Sequence, residues 1–293
     1  YLIQIFLPLG FLGFVYREIK RSVTDMETMF LLFKEEVEVA DLPGAKKLQV
    51  KGGEIRFNGV SFGYSPERTV LKGLTFRVAP RETVAIVGLS GSGKSTITRL
   101  LMRLYDTLDG KILIDGQDIK MITQESLRES IAIVSQDTIL FNETIYYNIA
   151  YGRPDASPFE VEEAARLARF HDFIMKQPNG YQTIVGERGL KLSGGERQRV
   201  GIARAIIKQT KILIFDEATS ALDSFTEREI LDGLKDVSKG RSTLAIAHRL
   251  STIKDADEIL VVSEGVVREH GRHADLLVLE GMYAGMWARQ QAN

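Results

Sequence analysis

Three short stretches of this sequence carry the residue types and spacing needed for phosphate chemistry. The first is Gly88-Leu89-Ser90-Gly91-Ser92-Gly93-Lys94-Ser95-Thr96, which fits the pattern G-x-x-x-x-G-K-[ST]. It follows the apolar run Val84-Ala85-Ile86-Val87, a buried strand by pattern. Glycines let successive backbone N–H groups turn inward around phosphate oxygens, and a helix starting behind them adds its positive end. Lys94 is placed to reach the β- and γ-phosphates, and the Ser95 hydroxyl to hold Mg²⁺. A Gly-rich turn alone can be purely structural. Nine matching residues directly behind a buried strand argue for a phosphate site.

The second stretch is Ile212-Leu213-Ile214-Phe215-Asp216-Glu217. An apolar strand ending in two carboxylates puts both at the C-terminal edge of a sheet, where open α/β sheets bind ligands. Asp216 is expected to help hold Mg²⁺, directly or through water, and Glu217 to orient and polarise an attacking water. The third is Leu192-Ser193-Gly194-Gly195-Glu196, running into Arg197-Gln198-Arg199-Val200-Gly201-Ile202-Ala203. Ser193 and Glu196 have capping-box spacing. The two glycines bare backbone amides at a helix start, which makes a second anion site. One nucleotide rarely needs two such sites from one chain. A second subunit placed head to tail gives each γ-phosphate the loop of one chain and Ser193 of the other. No Asn-Lys pair occurs, so the guanine-reading Asn-Lys-x-Asp motif is missing.

The elements that must position these residues read as an α/β domain. Glu54-Ile55-Arg56-Phe57 and Leu74-Thr75-Phe76-Arg77-Val78 alternate like half-exposed antiparallel strands. The continuous runs 84–87, 131–134, 212–215 and 244–247 suit a parallel sheet covered on both faces. Ser157 followed by Pro158, with Val161, Ala164, Ala165 and Ala168 on one face, predicts a capped helix. Residues from about 137 to 200 form a helical insertion, and Ser263-Glu264-Gly265 links a hairpin. The fold class expected is α/β: a phosphate-loop core with a parallel sheet, an antiparallel β-subdomain and a helical subdomain.

The 293 residues are 44% hydrophobic and 26% charged, enough for a sizeable core. The formal net charge of −1 argues against a nucleic-acid protein that relies on bulk positive charge. The absence of cysteine rules out a disulfide scaffold, thiolate metal sites and a cysteine nucleophile.

The N-terminus departs from this soluble pattern. No charge occurs in residues 1–16, although a full span needs ~20 apolar residues. Arg17, Lys20 and Arg21 follow, as at the cytoplasmic edge of a span. We read 1–16 as the end of a transmembrane helix. Residues 17–40 read as its cytoplasmic helical extension, with Ile19, Val23, Met26, Phe30, Phe33 and Val37 as one stripe continuing to about residue 39. Residues 41–53, with Pro43 and Gly44, read as a linker, and 54–293 as the α/β domain. A buried core helix is the alternative for the first segment.

Across residues 54–290 the chain resembles the ABC ATPases. The resemblance rests on Tyr64 after Val60-Ser61-Phe62-Gly63, the loop 88–96, Gln136 at a strand end, Leu192 to Glu196, Asp216-Glu217, Ser220-Ala221-Leu222-Asp223, and His248. It implies ATP with Mg²⁺. It further implies that Tyr64 stacks on adenine, that Gln136 senses Mg²⁺ and the transport domain, that Asp223 lies at a dimer seam, and that His248 contacts the γ-phosphate. Thr183-Ile184-Val185-Gly186-Glu187-Arg188-Gly189 looks like the exporter segment that meets the partner subunit's membrane helices. Phe14 to Lys20 with Thr24-Asp25-Met26-Glu27 resembles the mitochondrial and heavy-metal-tolerance exporters, which implies glutathione- or metal-linked cargo. The membrane implied is the bacterial inner or mitochondrial inner one, with the ATPase facing cytoplasm or matrix and a second copy or a related half-transporter as partner. Leu89 and Phe215 stand where many relatives carry Pro and Leu; neither change removes a chemical group. His171, His270 and His273 match no functional position and are expected on the surface.

Two other readings compete. A soluble ABC ATPase acting on nucleic acid or ribosomes needs a long coiled coil in the insertion or two cassettes in one chain, and neither is present. A non-catalytic nucleotide switch is disfavoured by Lys94, Glu217 and His248.

Overall fold

The computed structural model describes residues 2–34, 37–65, 67–216, 233–247 and 249–291. It forms two compact units, Tyr1–Ala40 and Asp41–Asn293. The first is α1 (Leu2–Leu32), continuous through Pro8. Its 31 residues make a rod of ~46 Å at ~1.5 Å per residue. The helix stops earlier than the stripe predicts: after Leu32 the chain turns, with Lys34 N donating to Leu31 O at 3.0 Å. The last turn has no basic residue, and the sequence continues into Glu35, Glu36 and Glu38, charges that the negative end of a helix repels. Ile19, Val23, Met26, Phe30, Phe33 and Val37 are all exposed. Among the described residues no helix is long and apolar enough to cross a membrane.

The second unit is built on two sheets. The antiparallel sheet takes β1 (Ile55–Ser65), β2 (Arg68–Val78), β4 (Asp109–Ile114) and β5 (Gln117–Asp118) in the order β2-β1-β4-β5. The larger sheet takes β3 (Thr83–Val87), β6 (Ile131–Val134), β7 (Ile212–Asp216), β8 (Ser242–Ile246), β9 (Glu258–Ser263) and β10 (Val266–Gly271) in the order β10-β9-β3-β8-β7-β6. All its pairings are parallel except β9–β10. That last pair is the expected hairpin, closed by Glu264 and Gly265 with φ of 53° and 81°, the positive-φ pair a two-residue turn demands.

Alternation along the parallel strands gives the larger sheet two covered faces. Val84, Ile86, Ile212, Ile214, Leu244 and Ile246 join Ile55, Phe57 and Leu71 of the antiparallel sheet and Ile97, Leu100 and Leu101 of α2 (Lys94–Leu101). The intervening residues Ala85, Val87, Leu213, Phe215 and Ala245 face a second core holding Ile149, Val161, Ala165, Val200 and Ala203. Those come from α4 (Ile145–Ala150), α5 (Pro158–Leu167) and α7 (Gly194–Ile207), which with α6 (His171–Met175) fill the insertion. Ser157 and Glu160 form a full capping box on α5. α3 (Gln124–Glu129) precedes β6, and the helices His273–Val278 and Met282–Gln291 close the described chain.

Residues 41–53 are not a free tether. The Asp115 carboxylate accepts from the backbone N–H groups of Lys51, Gly52, Gly53 and Glu54 at 2.7–3.0 Å. Leu48 N donates to Ser126 Oγ at 3.0 Å, and Gln49 and Gln117 exchange two hydrogen bonds. The histidines also differ from expectation. His270 is exposed beside Glu258, but His171 and His273 are half-buried, each with Nδ1 on a tyrosine hydroxyl: Tyr181 at 2.8 Å and Tyr283 at 2.7 Å. Burial pushes both phenols up to about 12, so they stay protonated at neutral pH.

Candidate active site

β3 delivers the chain into the loop 88–96 at the C-terminal edge of the larger sheet. Gly88 has φ +156°, and a Cβ there would lie 2.1 Å from Val262 O, so only glycine fits against β9. Gly93 precedes α2 with φ +106°, and a Cβ would fall 2.7 Å from Leu71 Cδ2. The loop is thereby wedged between β9 and the antiparallel sheet. Lys94 is 5% exposed, and its Nζ donates to Gly88 O at 2.9 Å and Leu89 O at 3.1 Å. The ammonium is thus folded back over the cradle. Ser92 Oγ is buried with no hydrogen-bond partner, which in a loop built from amides marks a polar cradle short of a partner. Leu89, Ser90, Gly91 and Ser95 are exposed; Thr96 is buried.

The antiparallel sheet brings Tyr64 to this loop. Its ring packs edge-on to Phe62 at 5.0 Å and Tyr105 at 5.2 Å between centroids, and is about half exposed. Its hydroxyl lies 3.1 Å from Thr96 Oγ1 and accepts from Arg99 Nη1 at 3.0 Å. That bond holds the Arg99 guanidinium above its ordinary range, and the Asp216 carboxylate adds a smaller push in the same direction. Asp216, half-buried at the end of β7, is therefore within electrostatic reach of the helix that follows the loop.

Gln136 is exposed just beyond β6. The segment around it is held by Gln198 of α7, whose Nε2 donates to Ser135 O and whose Oε1 accepts from Thr138 Oγ1, both at 3.3 Å. Gly201 leaves room for the same Thr138, since a Cβ there would lie 2.6 Å from its hydroxyl. Sequence reasoning missed Gln198, which sits in the charged run Glu196 to Arg199, and Arg99, a charge on α2 whose partner Tyr64 lies 35 residues earlier. A cleft of about 380 Å³ opens beside this segment, lined by Ile133, Ser135, Thr138, Tyr151 and Arg204. Burial pulls Arg204 below the ordinary guanidinium range. The side chain is nevertheless fixed, donating to Asn148 O and Oδ1 and to Ile139 O while lying over Phe141 and Tyr151.

Ser193 caps α7 with the expected box: its Oγ accepts from Glu196 N at 3.3 Å, and Glu196 Oε2 accepts from Ser193 N at 2.6 Å. Ser193 and Gly194 are exposed, Gly195 is half-buried, and Leu192 is buried. A Cβ at Gly194 would meet nothing within 4 Å. α7 packs on β6, the edge strand. The structure therefore gathers loop 88–96, Tyr64 and Asp216 at one place, and puts the tip 193–195 on another flank. Glu217, Asp223 and His248 lie outside the described residues.

A parallel sheet whose phosphate loop, serine-diglycine helix start and acidic strand end follow in this order defines an ATP-binding ATPase of the cassette type. Residues 71–220 match the ABC transporter family, and the chain belongs to that family. It is 56% identical over 292 residues to an ATM1-type heavy metal exporter of Novosphingobium aromaticivorans, covering 100% of this chain and 48% of that protein. It is 54% identical to human ATP-binding cassette sub-family B member 6, over 99% of this chain and 35% of that protein. Identity to the mitochondrial iron-sulfur clusters transporter atm1 of Aspergillus fumigatus is 52%, over 98% of this chain and 40% of that protein. Among solved structures, a bacterial Atm1-family ABC exporter with ATP bound superposes with a TM-score of 0.89 at 56% identity, over 100% of this chain and 51% of that one. The chain thus spans about half or less of the length of these relatives.

Proposed function

We propose that this chain is the ATP-driven part of an exporter half-transporter that works as a head-to-tail pair, with a second copy or a related half-transporter as partner. The observation that carries the reading is the separation of two anion cradles within one chain. Loop 88–96 follows β3, while the Ser193 tip belongs to α7 on β6, three strands away in the order β3-β8-β7-β6. Three inter-strand steps of ~4.8 Å amount to ~14 Å sideways, too far for one triphosphate to bridge both. The exposed, uncrowded serine-diglycine tip suits delivery to a neighbouring chain's nucleotide.

In this reading ATP lies with adenine on the free face of Tyr64 and its phosphates among the amides of Gly88 to Thr96. Lys94 exchanges the Gly88 and Leu89 carbonyls for phosphate oxygens. The Ser95 hydroxyl, Gln136 and Asp216 are the oxygen donors for Mg²⁺. The described residues hold no cluster of three or more His, Cys, Asp or Glu that could bind an ion alone, which fits a cation that takes most ligands from phosphate and water. Mg²⁺, when bound, neutralises charge between the β- and γ-phosphates. Ser193, Gly194 and Gly195 of the partner close the cradle, Asp223 lies at the seam, Glu217 orients the water, and His248 contacts the γ-phosphate. The work is positioning and charge stabilisation.

Residues 1–16 are read as the end of a transmembrane helix, 17–40 as its extension, 41–53 as the joining segment, and 54–293 as the ATPase domain with a helical subdomain at about 137–200. The cleft beside Gln136 and the exposed stripe of α1 are surfaces for membrane-domain helices. The cargo is read as glutathione- or metal-linked and the membrane as an inner one, bacterial or mitochondrial; relatives named as a heavy metal exporter and as a mitochondrial iron-sulfur clusters transporter support the metal-linked cargo and the mitochondrial option. The test is the dependence of ATP hydrolysis on protein concentration. Specific activity that rises with concentration to a plateau supports the paired site; a constant specific activity down to nanomolar chain overturns it.

A further inference from the structure

We infer that Arg103 is a positioning residue that ties the nucleotide-binding helix α2 to the chain entering the ATPase domain from α1. The inference rests on the proposed reading of residues 1–40 as the membrane-side segment and on ATP binding at loop 88–96.

Arg103 is 1% exposed although it is charged, and it sits two residues past α2 with φ of 49°, an unusual backbone for a long side chain. Its Nη1 donates to Asp41 Oδ1 at 3.2 Å and to Ile122 O at 2.9 Å, and its Nε to Asp106 Oδ1 at 3.2 Å. Asp41 is the first residue of the second compact unit, the point at which the chain continues from residues 1–40 into the domain. The same carboxylate accepts from Gln124 N at the start of α3 at 3.0 Å. α3 in turn grips the end of α2: Arg128 Nε donates to Met102 O at 3.2 Å and Nη2 to Arg103 O at 3.1 Å.

This node has no slack on either side. Past Asp41, Lys46 N donates to Met121 O at 3.0 Å, Thr123 N donates to Lys46 O at 2.9 Å, and the four amides on Asp115 fix residues 51–54. On the other side, α2 has eight residues, so ~12 Å of rigid helix separates Lys94 in the phosphate loop from the node. A buried guanidinium between carboxylates is a poor way to gain stability and a good way to fix one geometry. Displacement of the loop by nucleotide is therefore passed along α2 to Asp41, a route separate from the one through Gln136.

The test uses the 293-residue chain, Mg²⁺ and a non-hydrolysable ATP analogue, with hydrogen exchange read on peptides covering 41–48 and 119–127. In the wild type the analogue changes exchange in both peptides by about fivefold, the scale of a modest coupling between sites. Asp41→Asn keeps an acceptor for Gln124 N but removes the charge facing Arg103. It is expected to bind the analogue within about twofold of wild type while losing the change in peptide 41–48. Arg103→Lys, which cannot reach both carboxylates in the same fork, should lose it too; if that variant fails to fold, Asp41→Asn decides alone. A full response in Asp41→Asn, whatever its melting temperature, overturns the inference, as does a wild type that binds the analogue with no response at 41–48. Failure of the wild type to bind the analogue instead defeats the reading of loop 88–96, and the inference with it.

Discussion

The Tyr64 hydroxyl lies 3.1 Å from Thr96 Oγ1, so a strand of the antiparallel sheet is fastened to the first turn of the helix behind the phosphate loop. Arg99 donates to the same oxygen from one turn further along. The ring is set on edge by Phe62 and Tyr105 and is about half exposed. If that exposed part carries the adenine, ring and hydroxyl have separable roles. Tyr64→Ala should weaken ATP binding about tenfold, since base–aromatic stacking is worth ~1–3 kcal/mol. Tyr64→Phe, which keeps the ring and loses only the bonds to Thr96 and Arg99, should stay within about threefold of wild type. Calorimetric titration with Mg-ATP distinguishes the two; equal losses in both variants would remove stacking from the account.

Gly88→Ala tests the backbone of the loop without touching a charge. Its Cβ would lie 2.1 Å from Val262 O, a backbone atom in β9 that cannot rotate away. The variant should melt lower than wild type by several degrees and lose most of the stabilisation that Mg-ATP gives, because the amides of the loop shift with it. A thermal melt with and without nucleotide reads both effects. Undiminished stabilisation by Mg-ATP would mean that the phosphates lie elsewhere.

Glu217→Gln should leave ATP binding intact, cut turnover by at least about a hundredfold, and accumulate an ATP-bound pair, since in the proposed reading it removes only the carboxylate that orients water. Phosphate release and gel filtration with ATP are the measurements. Normal turnover would take Glu217 out of the chemistry.

Asp115 supplies a prediction with a defined pH sign. Partial burial pushes its carboxyl up, but the amides of Gly53, Glu54, Lys51 and Gly52 together outweigh this and hold it below the ordinary value of 3.8. A carboxyl depressed in the folded state contributes stability above its unfolded pKa and loses it as pH falls through the lower folded value. Asp115→Asn keeps a side chain that tolerates the local φ of 48° but sets an NH₂ against donors. It should cost about 2 kcal/mol at neutral pH and flatten the decline in melting temperature below pH ~4. An acid limb as steep as that of the wild type would assign the effect to other carboxyls.

What was legible in the sequence follows the range of the interactions involved. The parallel strands were readable because two-sided burial leaves continuous apolar runs such as Ile212 to Phe215. The caps at Ser157 and Ser193 were readable because a capping box spans only four residues. β4 was not identified: Asp109-Gly110-Lys111 reads as a turn, and only pairing with β1, some fifty residues earlier, makes it a strand. Pro43, Gly44, Gly52 and Gly53 suggested a loose linker because nothing local shows that Asp115 collects its amides. The burial of Arg103 has no local signal for the same reason, its partners Asp41 and Ile122 lying 62 and 19 residues away. Half-buried His171 and His273 depend on tyrosines ten residues on, a spacing with no periodic signature.

The central claim is that one triphosphate is gripped by Lys94 of one chain and Ser193 of another. Lys94→Ala and Ser193→Arg should each be inactive alone, the first by losing the cation of the cradle and the second by blocking closure. Mixed in equal amounts, their heterodimers hold one site made of intact Lys94 and intact Ser193. ATP hydrolysis should then return to about a quarter of wild type, because half of the pairs are mixed and each has one good site. A mixture no more active than its separate components, or a Ser193→Arg chain that hydrolyses ATP normally by itself, would contradict the account.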